Sequence, residues 1–362
     1  METLFKTPLH PSHISLGARM VPFGGWDMPV QYTGILDETR AVRNSVGIFD
    51  VSHMGRVVVK GTGAGEFLSC IFSTDVEKLA VGRAKYGVTC DQEGGIIDDN
   101  IVYRLSPMEY MLIPNAGNRE AISSWLNRWL PNDDSVAIDD VSERTAMIAV
   151  QGPDSFQTLS ALAESDLESV GPFRIVEMAI CGQTMLVART GYTGEDGFEI
   201  MPSTDVVLDV WDQLIQHGAI PCGLGARDVL RLEAGLLLHG NDMDQTINPY
   251  EAGLDKFVDA NREAYIPGTT LREMRQMAPS RSLVGFTMVG RGIARHGYPI
   301  TDGAEMIGTV TSGSVSPTLD KAIGLGYVRS GFTSEGTRLF IEIRGKKIEA
   351  EVTCLPFYLR SR

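Results

Sequence analysis

At Ser282 the chain changes character, and that change limits its architecture more than any other feature. From there Leu283–Val289, Met306–Thr311, Ile323–Val328, Leu339–Ile343 and Lys347–Thr353 are short β-rich runs punctuated by glycine. Such runs, over roughly 80 residues, predict a small β-barrel or sandwich. Upstream, helical and strand patterns alternate. Ile35, Leu36, Val42 and Val46 recur at helical spacing, with Gly47 placed as a C-terminal stop. Arg56–Lys60 and Ala146–Val150 read as strands. Helical faces carry Phe67, Leu68 and Ile71; Ala121, Ile122, Trp125, Leu126 and Trp129; Phe156, Leu159 and Leu162; and Val207, Val210, Trp211 and Leu214. The largely polar stretch between Pro267 and Pro279 reads as a linker. A length of 362 residues exceeds what one core usually holds, so two or three domains are expected.

Composition narrows the function classes. Apolar residues make up 43% and charged residues 22%, as in a globular protein. No apolar run is long enough to span a membrane. Met1-Glu2-Thr3-Leu4-Phe5-Lys6 has neither a signal-peptide core nor transit-peptide character, so a cytoplasmic protein is expected. Thirty-two Lys and Arg against 46 Asp and Glu give a net charge of −14, which weighs against nucleic acid and anionic membranes as partners. Any anionic ligand then needs cations placed locally. The five cysteines are scattered with no C-x-x-C and read as reduced thiols; only His10 and His13 lie close together, so no metal is expected.

Five segments carry candidate chemistry. Val57-Val58-Val59-Lys60-Gly61-Thr62-Gly63-Ala64-Gly65-Glu66 has the shape of a dinucleotide fingerprint, but Glu66 stands where the third glycine is needed and would repel a pyrophosphate. A strand-to-helix turn is the better reading. Asp98 and Asp99 follow the Gly94-Gly95 turn and, in an extended segment, point to opposite faces, one inward and one to solvent. Thr190–Ile200 has the composition of a β-hairpin with Asp196-Gly197 at its turn, which would set Tyr192 and Glu199 on facing strands. A ring beside a carboxylate suits a flat heterocycle with an amidine-like edge. Gly223-Leu224-Gly225-Ala226-Arg227-Asp228 opens a helix on which Arg227 and Arg231 share a face near the positive end of the dipole, an arrangement suited to an anion. Pairing of these arginines with Asp228 or Glu233 is the ordinary alternative. His53 reads as a packing residue rather than a catalyst.

Together these segments resemble one family. Phe23-Gly24-Gly25-Trp26-Asp27-Met28-Pro29, Phe49-Asp50-Val51-Ser52-His53-Met54-Gly55, Gly94-Gly95-Ile96-Ile97-Asp98-Asp99, Gly191-Tyr192-Thr193-Gly194-Glu195-Asp196-Gly197, Gly223-Leu224-Gly225-Ala226-Arg227-Asp228-Val229-Leu230-Arg231-Leu232-Glu233 and Gly308-Thr309-Val310-Thr311-Ser312-Gly313 are similar to motifs of the glycine-cleavage T-proteins, in the same order.

The resemblance implies an α+β fold, a three-domain cloverleaf around a central folate channel. Residues 1–52 with 140–275 would form the folate-binding domain, 53–139 a second α+β domain and 280–362 a C-terminal β-barrel-like domain. It implies an aminomethyltransferase that takes an aminomethyl carbon from the dihydrolipoyl arm of H-protein to tetrahydrofolate, releasing ammonia and 5,10-methylenetetrahydrofolate. It assigns the pterin edge to Glu199, the glutamate tail to Arg227 and the catalytic carboxylate to Asp99, with Asp98 left to the turn or to solvent. Met54, Tyr86, Tyr103, Asn115 and Tyr192 would line the folate pocket. An aspartate of ordinary pKa would serve this chemistry without tuning. Two departures, at Lys256 and at Ile266-Pro267-Gly268, touch the pocket wall and the linker. Folate-dependent demethylation of a sulfonium or methylamine, and non-catalytic folate binding, are the alternatives within the fold.

Overall fold

The computed structural model describes residues 3–360. It divides into two compact units, one of Met1–Thr89, Asp98–Gly191 and Glu195–Arg227, the other of Cys90–Ile97, Tyr192–Gly194 and Asp228–Arg362.

The first unit is built on two sheets. A six-stranded sheet runs in the order Ile175–Ile180, Gln183–Ala188, Gly197–Met201, Ile148–Gln151, Gly47–Asp50, Ile220–Pro221; neighbours are antiparallel except the last pair, which is parallel. The helix Val207–Gln216 turns Val207, Val210, Trp211 and Leu214 inward, the spacing of one helical face, into a core shared with Ile48, Val150, Val187 and Phe198. Burying one such side chain is worth about 1.5–3 kcal/mol, which is what holds the sheet flat-side down on its helix. A five-stranded sheet has the order Ala84–Cys90, Ile96–Ser106, Glu109–Ile113, Val57–Lys60, Ala137–Asp140; its hairpin end Cys90–Ile97 is counted with the second unit. The helix Ala64–Ile71 lies against the strand Glu109–Ile113 and beside the helix Arg119–Trp129.

In the second unit the β-rich runs close into a six-stranded barrel, Arg281–Met288, Lys321–Arg329, Met306–Ser316, Pro299–Thr301, Arg338–Ile343, Lys346–Thr353 and back. Phe286, Val310, Leu339 and Ile341 fill it. The glycine punctuation follows from that filling: a Cβ on Gly324 would lie 2.4 Å from the Phe286 ring. The short strand Pro299–Thr301 carries too little pattern to be read from sequence.

Three local readings are corrected. Gly47 does not stop a helix. The helix Ile35–Asn44 ends before it, and Gly47 opens a strand where a Cβ would sit 2.4 Å from Val42 Cγ2 and 2.9 Å from Cys222 Sγ. The stretch between Pro267 and Pro279 is mostly a helix, Gly268–Gln276. Pro267 is tolerated as its N-cap, Leu271 is buried, and the polar residues are the outer face of an amphipathic helix rather than a linker. Residues 190–200 do not form a tight hairpin. The strands Gln183–Ala188 and Gly197–Met201 are joined by a longer loop, so Tyr192 lies in no strand and Glu199 is flanked by Ala188 and Ala149.

The fingerprint-like segment behaves as a turn. A Cβ on Gly61 would lie 2.1 Å from the Ser135 carbonyl oxygen, so the backbone there is closed by protein.

Candidate active site

Asp98 and Asp99 enter the first unit on the strand Ile96–Ser106. The neighbouring strand Glu109–Ile113 pairs with it as far as Ile101↔Ile113, and the chain runs on from there to Asn115. The Asn115 amide reaches both carboxylates, donating to Asp98 Oδ1 at 2.8 Å and to Asp99 Oδ1 at 2.9 Å. Carboxylates only accept, which fixes the amide's orientation.

The two acids then differ sharply. Asp98 is completely buried and receives four N–H donors: Asn100 Nδ2 at 2.7 Å, the Asn115 backbone at 3.0 Å, Asn115 Nδ2, and Asn118 Nδ2 at 2.5 Å. That is the solvation of an ionised carboxylate rebuilt from protein. The expectation that Asp98 faces the turn or solvent is thereby overturned; the strand's alternation sends it inward, where three asparagines meet it. Asp99 is half-buried and has the Tyr86 hydroxyl at 3.1 Å on Oδ2 besides Asn115. Its pKa is raised, first by burial and then by the charge of Asp98, with Tyr86 and Asn115 opposing. An ordinary aspartate was expected here; desolvation beside a fixed anion makes it a tuned one. Asn118, a residue the sequence reading missed, sits at the end of the 3₁₀ turn Ala116–Asn118, three residues after Asn115, where that turn brings it back to Asp98.

Glu199 is almost fully buried in the six-stranded sheet, not exposed on a hairpin. Its Oε2 accepts from the Thr190 hydroxyl at 2.5 Å, and Thr190 Oγ1 lies 2.9 Å from the hydroxyl of Tyr103, which is also completely buried.

Arg227 stands in the first turn of the helix Leu224–Glu233. The start of that helix is pinned by Glu38, a buried carboxylate whose Oε2 accepts from the Gly223 N–H at 2.8 Å while Oε1 accepts from the backbone of Tyr32, Thr33 and Gly34. Near Arg227 is His53, buried, its pKa lowered to about 3 by burial and by the positive charges of Arg227 and Arg56, against the pull of Asp50. His53 is therefore a neutral imidazole, with the Phe23 ring edge-on at 5.6 Å. Met54, half-buried, is held through its carbonyl by Arg56, a buried guanidinium that also binds the carbonyls of Ser52, Ser142 and Thr145.

Arg231 does not join Arg227 in an anion site. In the second unit it is buried and pairs with Asp242 at 2.5 Å and Asp228 at 2.8 Å, with the Ser312 hydroxyl at 2.6 Å. Its positive charge is spent on two carboxylates, and the ordinary alternative of pairing with Asp228 is the one realised. Also in that unit, the Tyr192 hydroxyl donates to the Leu237 carbonyl, and Lys256 is exposed with its ammonium 4.9 Å from the Phe257 ring centre. Gly268, the last residue of the other departure, opens the helix already described.

Among the described residues no helix is long and apolar enough to cross a membrane.

Comparison with known proteins brings these features into one frame. Residues 9–262 match the family model "GCVT N-terminal domain", and 281–358 match "Glycine cleavage T-protein C-terminal barrel domain". An aminomethyltransferase of Thermosynechococcus vestitus is 44% identical over 361 residues, 100% of this chain and 97% of that one. One of Listeria monocytogenes is 42% identical over 365 residues, covering 100% of both. The crystal structure of the glycine cleavage system aminomethyltransferase T from Bartonella henselae superposes with a TM-score of 0.93 at 34% identity, over 98% of each chain. With matches along both units and an α+β architecture ending in the same barrel, the chain belongs to the glycine cleavage T-protein family of aminomethyltransferases.

Proposed function

We propose that this enzyme carries the aminomethyl carbon from the dihydrolipoyl arm of the glycine cleavage H-protein to tetrahydrofolate, releasing ammonia and 5,10-methylenetetrahydrofolate. The observation that carries the reading is the Asp98–Asp99 pair: one carboxylate solvated by four N–H donors, the other half-exposed with a raised pKa.

In the reaction two C–N bonds form on folate while the C–N bond to ammonia and the C–S bond to the carrier break. The two folate N–H protons end on ammonia and on the carrier thiol. Positive charge develops on the transferred carbon as ammonia leaves, and an adjacent carboxylate stabilises it. Asp99, with a pKa moved up from the ordinary carboxylate range, also accepts and returns a proton more readily than an ordinary aspartate. Tyr86 and Asn115 hold its two oxygens, so it meets the reacting atoms in one orientation.

Glu199 is assigned the amidine-like edge of the pterin and Arg227 the glutamate tail. That placement supplies the local cation which a chain of net charge −14 needs for an anionic ligand. Met54, Tyr86, Tyr103, Asn115 and Tyr192 complete the folate assignment. A cytoplasmic location is part of the same proposal.

The test is product analysis with aminomethylated H-protein, with and without tetrahydrofolate. Ammonia release that depends on folate and yields methylenetetrahydrofolate is expected. Formation of methyl-folate from a methylated sulfonium or amine, or folate binding without turnover, would overturn the reading.

A further inference from the structure

We propose that Thr190 is a positioning residue for Glu199, acting as the middle link of a one-way chain of hydrogen bonds that begins at Tyr103. The inference rests on the assignment of Glu199 to the pterin.

The direction of the chain follows from what each group can do. Either hydroxyl of the Tyr103–Thr190 pair could donate on distance alone, at 2.9 Å. Glu199 Oε2 lies 2.5 Å from Thr190 Oγ1, and a carboxylate has no proton to give. The single Thr190 proton therefore goes to Glu199, which leaves Thr190 Oγ1 to accept from Tyr103. Tyr103 thus donates to Thr190, and Thr190 donates to Glu199.

Each member is fixed from behind. Tyr103 is completely buried on the strand that carries Asp99, and positions 99, 101 and 103 share a face by the two-residue period of a strand. The Thr190 carbonyl accepts from Gln151 Nε2 at 3.0 Å, and Gln151 is itself fully buried. The Gln151 amide occupies space that only glycine leaves open: a Cβ on Gly191 would lie 2.0 Å from its oxygen. Glu199 has alanines, Ala188 and Ala149, as its neighbours on both adjoining strands, and its Oε2 accepts from Thr190. The hydroxyl holds the carboxylate plane in one rotation, ready for two N–H groups that must arrive side by side. The chain also ties the five-stranded sheet, with Asp99, to the six-stranded sheet, with Glu199, inside the first unit.

The experiment compares Thr190→Val, which keeps volume and branching but removes the proton, with Thr190→Ser, which keeps the proton. Tetrahydrofolate affinity is measured by calorimetry, and KM for folate and kcat by ammonia release. Thr190→Val should weaken folate by about tenfold or more, the loss of a hydrogen bond to a charged group, and raise KM far more than it lowers kcat. Thr190→Ser should recover most of that loss. Tyr103→Phe should weaken folate by a few-fold, and adding it to Thr190→Val should cost little further, because the chain is already broken. A folate analogue without the 2-amino group should bind the Val variant and the wild type with similar affinity. Should Thr190→Val fail to fold, Tyr103→Phe and the desamino analogue still decide the matter.

Equal folate affinity in wild type and Thr190→Val, or full additivity of the two substitutions, would overturn the positioning role. Glu199→Gln separates the two layers. If Glu199→Gln binds folate normally, the pterin assignment itself is wrong. If it loses folate while Thr190→Val does not, the assignment stands and Thr190 positions nothing.

Discussion

The five-stranded sheet and the six-stranded sheet each bring buried carboxylates toward the proposed site, and they treat them in opposite ways. On the strand Ile96–Ser106, Asp98 is surrounded by four N–H donors and Asp99 beside it by two donors. On the strand Gly197–Met201, Glu199 accepts from the Thr190 hydroxyl and pairs with two alanines. The same functional group thus becomes a buried carboxylate solvated by amides, a half-buried one with a raised pKa and a buried one held by a hydroxyl. What differs is the number and kind of donors that the neighbouring strand and loop deliver. Position decides this more than residue type: Asn115, two residues past the end of the ladder, donates to both aspartates.

The largest effect should come from removing the tuned group. Asp99→Asn should lower kcat by about 10²–10⁴-fold, the usual range for a positioned acid–base residue, with folate affinity little changed. The same variant should not lose stability at neutral pH. Asp99 has a folded pKa above its unfolded value, so the stability linked to it is present at low pH and declines as pH rises through the folded pKa. Replacing the carboxyl with an amide removes that penalty. Thermal unfolding at pH 7 and the ammonia-release rate, measured on one preparation, check both halves. An active Asp99→Asn enzyme would remove the carboxylate mechanism.

Two arginines on one helix make the parallel contrast. Arg231 is buried between Asp228 and Asp242, and Arg231→Ala would leave Asp242 uncompensated in the interior. Stability should fall by about 3–5 kcal/mol, read by denaturant unfolding. Arg227→Ala should weaken tetrahydrofolate by about 1.5–3 kcal/mol in calorimetry. Arg227→Lys should recover part, since an ammonium lacks the two-pronged fork. A swap of these phenotypes would reverse the assignment of the two residues.

The sequence made the class of fold, the barrel and most helical faces legible, because those rest on periodicity. Val207, Val210, Trp211 and Leu214 were readable as a face and are buried as one. What escaped was set by partners distant along the chain. The burial of Asp98 depends on Asn100, Asn115 and Asn118, and no local pattern announces that three amides converge on one carboxylate. Thr190 looked like a strand residue in a hairpin until the longer loop put its hydroxyl between Tyr103 and Glu199. Gly47 and the Pro267–Pro279 stretch misled for a related reason: glycine and proline mark both breaks and close approaches, and only packing tells which. The motif order carried the family, while the roles of Asp98 and Arg231 needed the ladder and the ion pairs.

The smallest expected effect is the most discriminating, and it concerns the coupling between the adjacent aspartates. The charge of Asp98 is the second cause, after burial, of the raised Asp99 pKa. If ionised Asp99 is the form that accepts the folate proton, kcat falls as pH drops through that pKa. The acidic limb in the wild type should then lie above the ordinary aspartate value of about 3.9. Asp98→Asn removes the neighbouring charge but keeps the shape. The like-charge penalty on Asp99 disappears, so its pKa falls and the acidic limb moves to lower pH. The cost falls on stability rather than chemistry, because an Asn at 98 turns one of its own N–H groups toward donors from Asn100, Asn115 or Asn118. One unsatisfied buried donor is worth about 1–3 kcal/mol, so the variant should unfold earlier yet remain active below its transition. Measuring kcat against pH for wild type and Asp98→Asn, well below the melting temperature of each, decides the point. An acidic limb that stays in place would show that Asp98 does not set the pKa of Asp99. A limb that moves up would show that Asp98 acts on Asp99 mainly by holding Asn115, whose amide donates to both, and not by its charge.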